Sequence, residues 1–174
     1  MANRHPSHYL DIGVLGEELV AQWLQSTGWV ILHRRWRCRW GEIDIIARQP
    51  AQEHSPHSSP MLAFVEVKTR SRGNWDEGGL LSITQQKQAK LWQAARCFLA
   101  IYPHLADYTC RFDVALVCCQ RLPKRQRHAC AEIPVTLEPL AVSSLPVQLG
   151  QAGAIAEYEL LLQEYIPSAF DRSS

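Results

Sequence analysis

Apolar residues recur at two spacings in the first 70 residues, and each spacing predicts a different kind of element. Residues 9–27 carry apolar side chains near a 3.6-residue repeat and are followed by Gly28, which predicts a helix. Three segments rich in apolar and β-branched residues come next, separated by glycine, proline and serine. They predict three consecutive strands over 29–37, 42–48 and 62–70.

The second half of the chain changes pattern in the same way. Ser82 followed by Gln85 forms a capping box, which predicts a helix that runs to about residue 101 and ends before Pro103. The apolar run 111–119 predicts a fourth long strand. Two weaker predictions follow, a short edge strand near 133–138 and a C-terminal helix over 154–165.

The order helix, three strands, helix, strand predicts an α/β fold. Three strands in a meander and a crossover helix give a mixed central β-sheet flanked by helices. A length of 174 residues favours a single domain over 1–174. We expect its core over about 9–119, an irregular extension over 120–153, and a C-terminal helix and tail over 154–170.

Composition limits the class of protein. With 47% hydrophobic and 20% charged residues, the chain has an ordinary globular balance. It has no apolar run of the roughly 18–20 residues that a bilayer requires, and its N-terminus lacks a signal-like apolar stretch. We therefore expect a cytoplasmic protein without a membrane partner. Six cysteines without Cys-x-x-Cys spacing favour reduced thiols over a zinc site or a disulfide.

Charge is unevenly distributed. The formal net charge is only +1, but residues 34–96 hold eleven Lys or Arg against six Asp or Glu. The remaining residues hold seven against eleven. A local positive field of this kind favours an anionic partner.

The candidate chemistry begins on the strand predicted over 62–70. Alternation of side chains places Glu66 and Lys68 on one face, with Arg70 beyond them. Burial of a lone charge is unfavourable unless the charge is paired or bound to a metal. If the strands over 42–48 and 62–70 pair, Asp44 meets Glu66 and Lys68 at one site. The alternative is a structural Glu66–Lys68 ion pair on an exposed face of the sheet.

Basic residues near this site suggest contacts with nucleic acid. Arg35, Arg37 and Arg39 alternate with Trp36 and Trp40, a pattern that fits phosphate contacts and base stacking. The alternative is an amphipathic strand with tryptophans in the core and arginines in water, and we favour it for the tryptophans. Arg70, and Gln85 with Lys87 at a helix N-terminus, are further candidate phosphate contacts, or else parts of solvated faces.

Several of these segments resemble a family of small bacterial proteins, the YraN-like family, placed in the PD-(D/E)XK nuclease superfamily. The resemblance covers about residues 9–119 and the last few positions. The motifs that carry it are Gly13-x-x-Gly16-Glu17-Glu18-x-x-Ala21, Gly41-Glu42-Ile43-Asp44-Ile45-Ile46, Phe64-Val65-Glu66-Val67-Lys68-Thr69-Arg70, Lys87 with Ala94 or Ala95, Arg111-Phe112-Asp113-Val114 and Ala169-Phe170.

The resemblance implies a restriction-endonuclease-like core similar to Holliday-junction resolvases. It implies that Asp44, Glu66 and Lys68 form the catalytic triad and that Glu17 adds to the metal site. Mg²⁺, or Mn²⁺ in its place, would be the cofactor, because hard cations bind carboxylates and complete their shell with water and phosphate. The backbone carbonyl of Val67, between the catalytic residues, is a natural further ligand.

The function expected from sequence is metal-dependent endonuclease hydrolysis of phosphodiester bonds in DNA, with branched or structured DNA as the substrate class. A homodimer is expected by analogy, because resolvase-like enzymes cut two strands symmetrically. Two alternatives stay open. One is a nucleic-acid-binding module of the same fold without significant catalysis, and the other is a protein-interaction domain.

Overall fold

Two α-helices and six strands lie in the segments that the computed structural model describes, which are residues 12–49, 59–71, 83–122, 152–155 and 158–171. The elements in chain order are α1 Ile12–Ser26, β1 Val30–Cys38, β2 Gly41–Gln49, β3 Met61–Ser71, α2 Gln85–Ile101, β4 Thr109–Arg121, β5 Ala152–Ile155 and β6 Tyr158–Phe170. A short 3-10 turn, Pro103–Leu105, connects α2 to β4. None of the helices in this part of the chain is long and apolar enough to span a membrane.

The six strands form one sheet in the order β1-β2-β3-β4-β6-β5. β1, β2 and β3 form an antiparallel meander, and β4 pairs parallel to β3 after the crossover through α2. β6 returns antiparallel to β4, and β5 pairs antiparallel with β6. The predicted α/β class and mixed sheet are therefore confirmed.

Each face of the sheet has its own hydrophobic core, because side chains of the central strands alternate between the faces. Val65 of β3 packs with Leu24 of α1 on one face. Phe64 packs with Phe98 of α2 on the other, where their rings lie 5.9 Å apart nearly at right angles. The helices thus lie on opposite faces of the sheet. A site near both helices can therefore receive side chains from α1, from the sheet and from α2.

The helix boundaries differ slightly from the prediction. α1 ends at Ser26, and Gly28 has a φ of +89°, a left-handed conformation that glycine adopts without strain. α2 begins at Gln85, and its N-cap is Thr84, whose side chain accepts a hydrogen bond from Lys87 N. The capping box that placed the helix start at Ser82 is therefore wrong, and Ser82 itself lies outside the described residues.

The predicted C-terminal helix is wrong. Residues 158–170 form strand β6, in which Tyr158, Leu160 and Leu162 are buried and alternate with less buried neighbours. Consecutive apolar residues at 160–162 fit a helical repeat as well as a strand repeat, so periodicity alone could not separate them. Pairing with β4 selects the strand, because the edge of β4 that faces away from β3 would otherwise have a row of backbone groups without hydrogen-bond partners.

Other predictions fall partly or wholly outside the described residues. These are the first positions of the N-terminal helix, the edge strand near 133–138 and most of the extension over 120–153. The five cysteines within the described residues have free thiols, and only Cys119 among them is buried.

Candidate active site

The candidate site forms where β2 and β3 stop pairing. Their register runs from Gln49 and Met61 to Ile45 and Val65 and ends there. One residue further along β2, Asp44 Oδ2 accepts a hydrogen bond from the backbone N–H of Val67 at 2.7 Å. The carboxylate thus takes the place of a strand carbonyl, because the Val67 N–H would otherwise have no hydrogen-bond acceptor at the gap.

Glu66 lies next to this gap and is almost fully buried. Its side chain is 4% exposed, and its Oε1 lies 2.7 Å from Lys68 Nζ and 3.0 Å from Lys87 Nζ. Its Oε2 is buried and has no hydrogen-bond partner. The Glu66–Lys68 ion pair of the alternative is present, but it does not lie on an exposed face of the sheet. Its carboxylate is inside the protein, and one oxygen has no hydrogen-bond partner among the described residues.

The surroundings of Asp44 disfavour its charged form. Burial, together with the negative charges of Glu66 and Glu17, raises the pKa of Asp44 to about 7. The Val67 N–H and the ammonium of Lys87 act in the opposite direction. An aspartate at this position is therefore poised between its protonated and charged forms near neutral pH, and a cation would favour the charged form.

Glu17 reaches the site because α1 lies unusually close to β3. A Cβ atom on Gly16 would lie 1.9 Å from Thr69 Oγ1, a distance that no real contact allows. Glycine therefore permits this close approach, and the next residue, Glu17, is buried and contributes to the field at Asp44. Its Oε2 lies 3.6 Å from Arg35 Nε, so Glu17 also has a cationic neighbour.

Two of the predicted nucleic-acid contacts are held in ion pairs. Arg35 Nε and Arg37 Nε lie 3.1 Å and 3.0 Å from the two oxygens of Glu42. Burial by itself would raise the pKa of Glu42, but the two arginines lower it below its usual value. Glu42 therefore pairs with two arginines of the neighbouring strand β1. Arg35 also has a φ of +50°, so the backbone of β1 is locally distorted at this position.

The tryptophans of this region differ from each other. Trp36 packs in the core on the α2 side, with its ring 5.5 Å from that of Phe98 at a right angle. Trp40 is 39% exposed in the turn between β1 and β2, and the guanidinium of Arg39 lies 5.1 Å from the centre of its ring. A core position is confirmed for Trp36 and is wrong for Trp40.

The remaining predicted residues lie around the gap. Arg70 is half-buried two residues beyond Lys68 on β3, and Gln85 is the exposed first residue of α2. Lys87, predicted as a phosphate contact, instead contacts Glu66. Sequence reasoning missed this ion pair, although a lysine in the first turn of the helix that follows the acidic strand was a signal for it.

A second buried acid provides a contrast. Asp113 on β4 is fully buried, and three donors satisfy it: Arg111 Nε at 3.0 Å, Tyr165 O–H at 2.6 Å and Ser168 N–H at 2.9 Å. Burial and the Asp113 charge raise the pKa of Tyr165, which keeps its hydroxyl as a donor. Asp113 thus fastens β6 to β4, as expected of a structural residue, whereas Glu66 retains an unsatisfied oxygen.

The carboxylates nearest the gap are two, Asp44 and Glu66. Within the described part of the chain, no group of three or more His, Cys, Asp or Glu side chains is arranged to hold a metal ion. Asp44 and Glu66 are flanked by Glu17 and by the backbone of Val67. Mg²⁺ commonly binds through one or two carboxylates and retains several waters, so a pair of this kind is a sufficient set.

Fold and site together define an α/β protein with a buried acid–lysine cluster at a gap between two central strands. The chain belongs to the uncharacterised protein family UPF0102, whose sequence profile matches residues 16–117. This confirms the YraN-like resemblance.

Cyanobacterial relatives extend the similarity beyond the profile. A UPF0102 protein of Trichodesmium erythraeum is 52% identical over 167 residues, covering 94% of this chain and 91% of that protein. A UPF0102 protein of Trichormus variabilis is 52% identical, and the match covers 94% of this chain and 96% of that protein. A UPF0102 protein of Synechocystis is 43% identical, and the match covers 92% of this chain and 97% of that protein. The similarity therefore spans nearly the whole length of both chains.

Proposed function

We propose that this protein is a metal-dependent endonuclease with a restriction-endonuclease-like core that hydrolyses phosphodiester bonds in DNA. One observation carries the proposal. Asp44 and Glu66 converge beside Lys68 where the central strands separate, and the buried Glu66 Oε2 lacks a partner. Burial of a carboxylate with an unsatisfied oxygen is unfavourable, so the arrangement suits a ligand that supplies the missing charge.

The residues present fit Mg²⁺ or Mn²⁺. Asp44 and Glu66 carry hard oxygen ligands, and Glu66 is close enough for its charge to act on Asp44. The Val67 carbonyl is the further oxygen that we propose for the site. Glu17 is a fourth candidate on the α1 side. When bound there, the ion would polarise the scissile phosphate and help to deprotonate an attacking water.

The side chains around this pair have separate tasks in the proposed reaction. Asp44 keeps β2 and β3 in register at the gap through Val67. Lys87 compensates the charge of Glu66, which allows Lys68 to turn toward substrate without leaving Glu66 unpaired. Lys68 then orients the water and stabilises the negative charge that develops on the phosphate oxygens.

The substrate class follows from the surrounding charge. Arg39 and Arg70 flank the site from the turn between β1 and β2 and from the far end of β3, and Gln85 is exposed at the start of α2. Arg35 and Arg37 are partly neutralised by Glu42, so they contribute to the local field less than their number suggests. Contacts of this kind hold the nucleic-acid backbone without specifying sequence. We propose branched or structured DNA as the preferred form, cut by a homodimer.

The test is cleavage of labelled linear, single-stranded, flap and four-way-junction DNA with Mg²⁺, Mn²⁺ or EDTA. We expect cleavage that requires the metal and falls at least 100-fold in Asp44→Ala and in Lys68→Ala. Glu164→Gln is the matched control, because Glu164 is an exposed acid on β6 outside the site. It should cleave at the parent rate.

Each other outcome assigns a different function. Metal-independent binding without cleavage would favour the nucleic-acid-binding module. A lack of affinity for every one of these DNAs would favour RNA or a protein-interaction role. Folded Asp44→Ala and Lys68→Ala proteins that cleave at the parent rate would remove both residues from the mechanism.

A further inference from the structure

A second concave site lies at the opposite end of α2 from Glu66. It is a cavity of about 400 Å³ between β1, β2, the C-terminal end of α2 and the turn before β4. The side chains that define its chemistry are His33, Arg48, Phe98, Tyr102, His104 and Tyr108. Tyr102 is the C-cap of α2 and follows Lys87 by fifteen positions, which corresponds to roughly 22 Å along the helix axis. The cavity is therefore separate from the acid–lysine cluster.

One wall of the cavity is built from rings. The ring of His33 lies 5.5 Å from that of Phe98 and 5.2 Å from that of Tyr102. Tyr102 is also 4.6 Å from Phe98 and 6.2 Å from His104. Phe98 is fully buried, so the cavity offers the rings of His33 and Tyr102, whose planes are inclined by 47°. A planar aromatic ligand can stack on one such preordered ring without specific hydrogen bonds.

The charge of the cavity has one sign. Among the described residues that line it, Arg48 is the only permanent cation, and none is an Asp or Glu. Within the described residues, Arg48 forms no ion pair and no side-chain hydrogen bond, in contrast to Arg34, Arg35, Arg37 and Arg111. Its planar fork of donors is therefore available to an anion, and phosphate is a group that such a fork binds in bidentate geometry.

We propose that this cavity binds a single nucleotide, with the base against the rings of His33 and Tyr102 and the phosphate on Arg48. The volume lies at the lower end of the roughly 300–1,000 Å³ typical of small-molecule sites, which suits one nucleotide and excludes a duplex. The nucleotide has two sources with the same chemistry. It is a free mononucleotide, or it is an unpaired nucleotide of a longer single strand.

The experiment measures binding to the full chain by isothermal titration calorimetry in EDTA, so that phosphate cannot bind through a metal at Asp44 and Glu66. The probes are AMP, CMP, adenosine, inorganic phosphate and single-stranded oligonucleotides of increasing length. We expect a mononucleotide or an oligonucleotide to bind more tightly than adenosine or phosphate alone, because only these probes engage both the rings and Arg48.

Variants assign the binding to the cavity. Arg48→Ala should weaken it at least tenfold, Arg48→Lys by less, and Tyr102→Leu should weaken it by removing the ring while keeping an apolar side chain. Arg96→Ala is the matched control, because Arg96 is an exposed arginine on α2 that does not line the cavity. It should bind as the parent does. Circular dichroism and the melting temperature establish that each variant is folded.

The outcomes distinguish a free nucleotide from an unpaired nucleotide of a strand, and they include two results that would overturn the proposal. Saturable binding of AMP or CMP that Arg48→Ala weakens assigns the cavity to free nucleotides. Binding of oligonucleotides alone, weakened in the same way, assigns it to unpaired strands. Absence of any binding tighter than about 1 mM, or equal binding by the parent and a folded Arg48→Ala variant, would overturn the proposal. Neither result depends on nuclease activity, which requires the other site.

Discussion

Asp44 has an observed structural task, as the acceptor for Val67 N–H, beside the chemical task proposed for it above. As an acceptor for Val67 N–H it works in either protonation state, but burial and the neighbouring acids disfavour its charged form. A residue in such a position is retained against a stability disadvantage, which is typical of functional sites.

This disadvantage is measurable as a pH dependence. The pKa of Asp44 rises from 3.8 to about 7 on folding, so between these values the folded chain binds more protons than the unfolded one. The free energy of unfolding therefore falls as pH rises through this window, and the loss is complete above it. Asparagine still accepts from Val67 N–H and does not ionise.

We accordingly expect the melting temperature of Asp44→Asn in EDTA to equal that of the parent at pH 4. At pH 8 it should exceed the melting temperature of the parent by roughly 5–10 °C. Calorimetric melting temperatures at both pH values check this. Asp107→Asn, at an exposed aspartate in the turn before β4, is the control and should show no such divergence. A melting-temperature difference that is the same at pH 4 and pH 8 would contradict the assignment.

Trp40 is the second residue whose environment is informative, because its partly exposed ring beside the Arg39 guanidinium could stack with a base of a bound strand. We expect Trp40→Ala to weaken binding of single-stranded DNA about tenfold in EDTA, since one stacked base contributes about 1–3 kcal/mol. Fluorescence anisotropy of a labelled oligonucleotide measures the effect. Trp40→Phe should retain most of the affinity, and unchanged affinity in Trp40→Ala would exclude the turn from the interface.

At the scale of elements, the contact between α1 and β3 sets the depth of the site. Because Gly16 lies against Thr69, the helix approaches the strand closely enough to bury Glu17 near Asp44. Any side chain at position 16 must push the two elements apart or distort Thr69.

We therefore expect Gly16→Ala to lower the free energy of unfolding by about 1–3 kcal/mol, measured by urea denaturation. Adding Thr69→Ala to this variant removes the atom that clashes first and should recover part of the loss. Gly16→Ala at parent stability would indicate that α1 moves away from β3 at little cost, and the burial of Glu17 would then have to be reconsidered.

Strands β1 to β4 and the crossover through α2 were predictable from local signals, but the start of α2 and the identity of β6 as a strand were not. Alternation and β-branched residues identify β3, because its apolar and charged positions separate cleanly onto two faces. The start of α2 depends on whether Ser82 or Thr84 caps it, and both precede suitable residues. The apolar run at 160–162 fits either a helix or a strand. Its secondary structure is decided by pairing with β4, which is distant in the sequence.

At the scale of the whole molecule, the site draws on both faces of the sheet. Glu17 comes from α1 on one face and Lys87 from α2 on the other, and the charges of both act on Asp44 at the gap between β2 and β3. Alternation predicted that Asp44, Glu66 and Lys68 converge, because that relation needs only two paired strands. It missed the Lys87–Glu66 contact, which depends on how α2 packs against the sheet.

A ligand that neutralises this cluster should stabilise the entire fold, because it binds only the folded chain. At a free concentration 100 times its dissociation constant, Mg²⁺ or Mn²⁺ should add about 2.7 kcal/mol to the free energy of unfolding. For a chain of this length we expect a rise in melting temperature of roughly 5–10 °C at pH 8.

Thermal denaturation with and without the metal checks this expectation, and EDTA should reverse the rise. Asp44→Asn should lose most of the response while remaining folded, whereas Glu164→Gln should keep it. A parent protein whose melting temperature is indifferent to both metals would argue against a metal site between Asp44 and Glu66.

The double contact on Glu66 Oε1 bears on how this site would decay in evolution. With Lys87 in place, the fold can replace Lys68 and still keep a cation on the buried carboxylate of Glu66, whereas position 44 must keep a side chain that accepts from Val67 N–H. Under the proposed function, a descendant that had abandoned catalysis would therefore tend to lose Lys68, to keep Glu66 paired with Lys87, and to carry aspartate or asparagine at position 44. Among relatives of this chain, the residue at position 68 should then distinguish proteins that cleave DNA from those that do not better than Glu66 does.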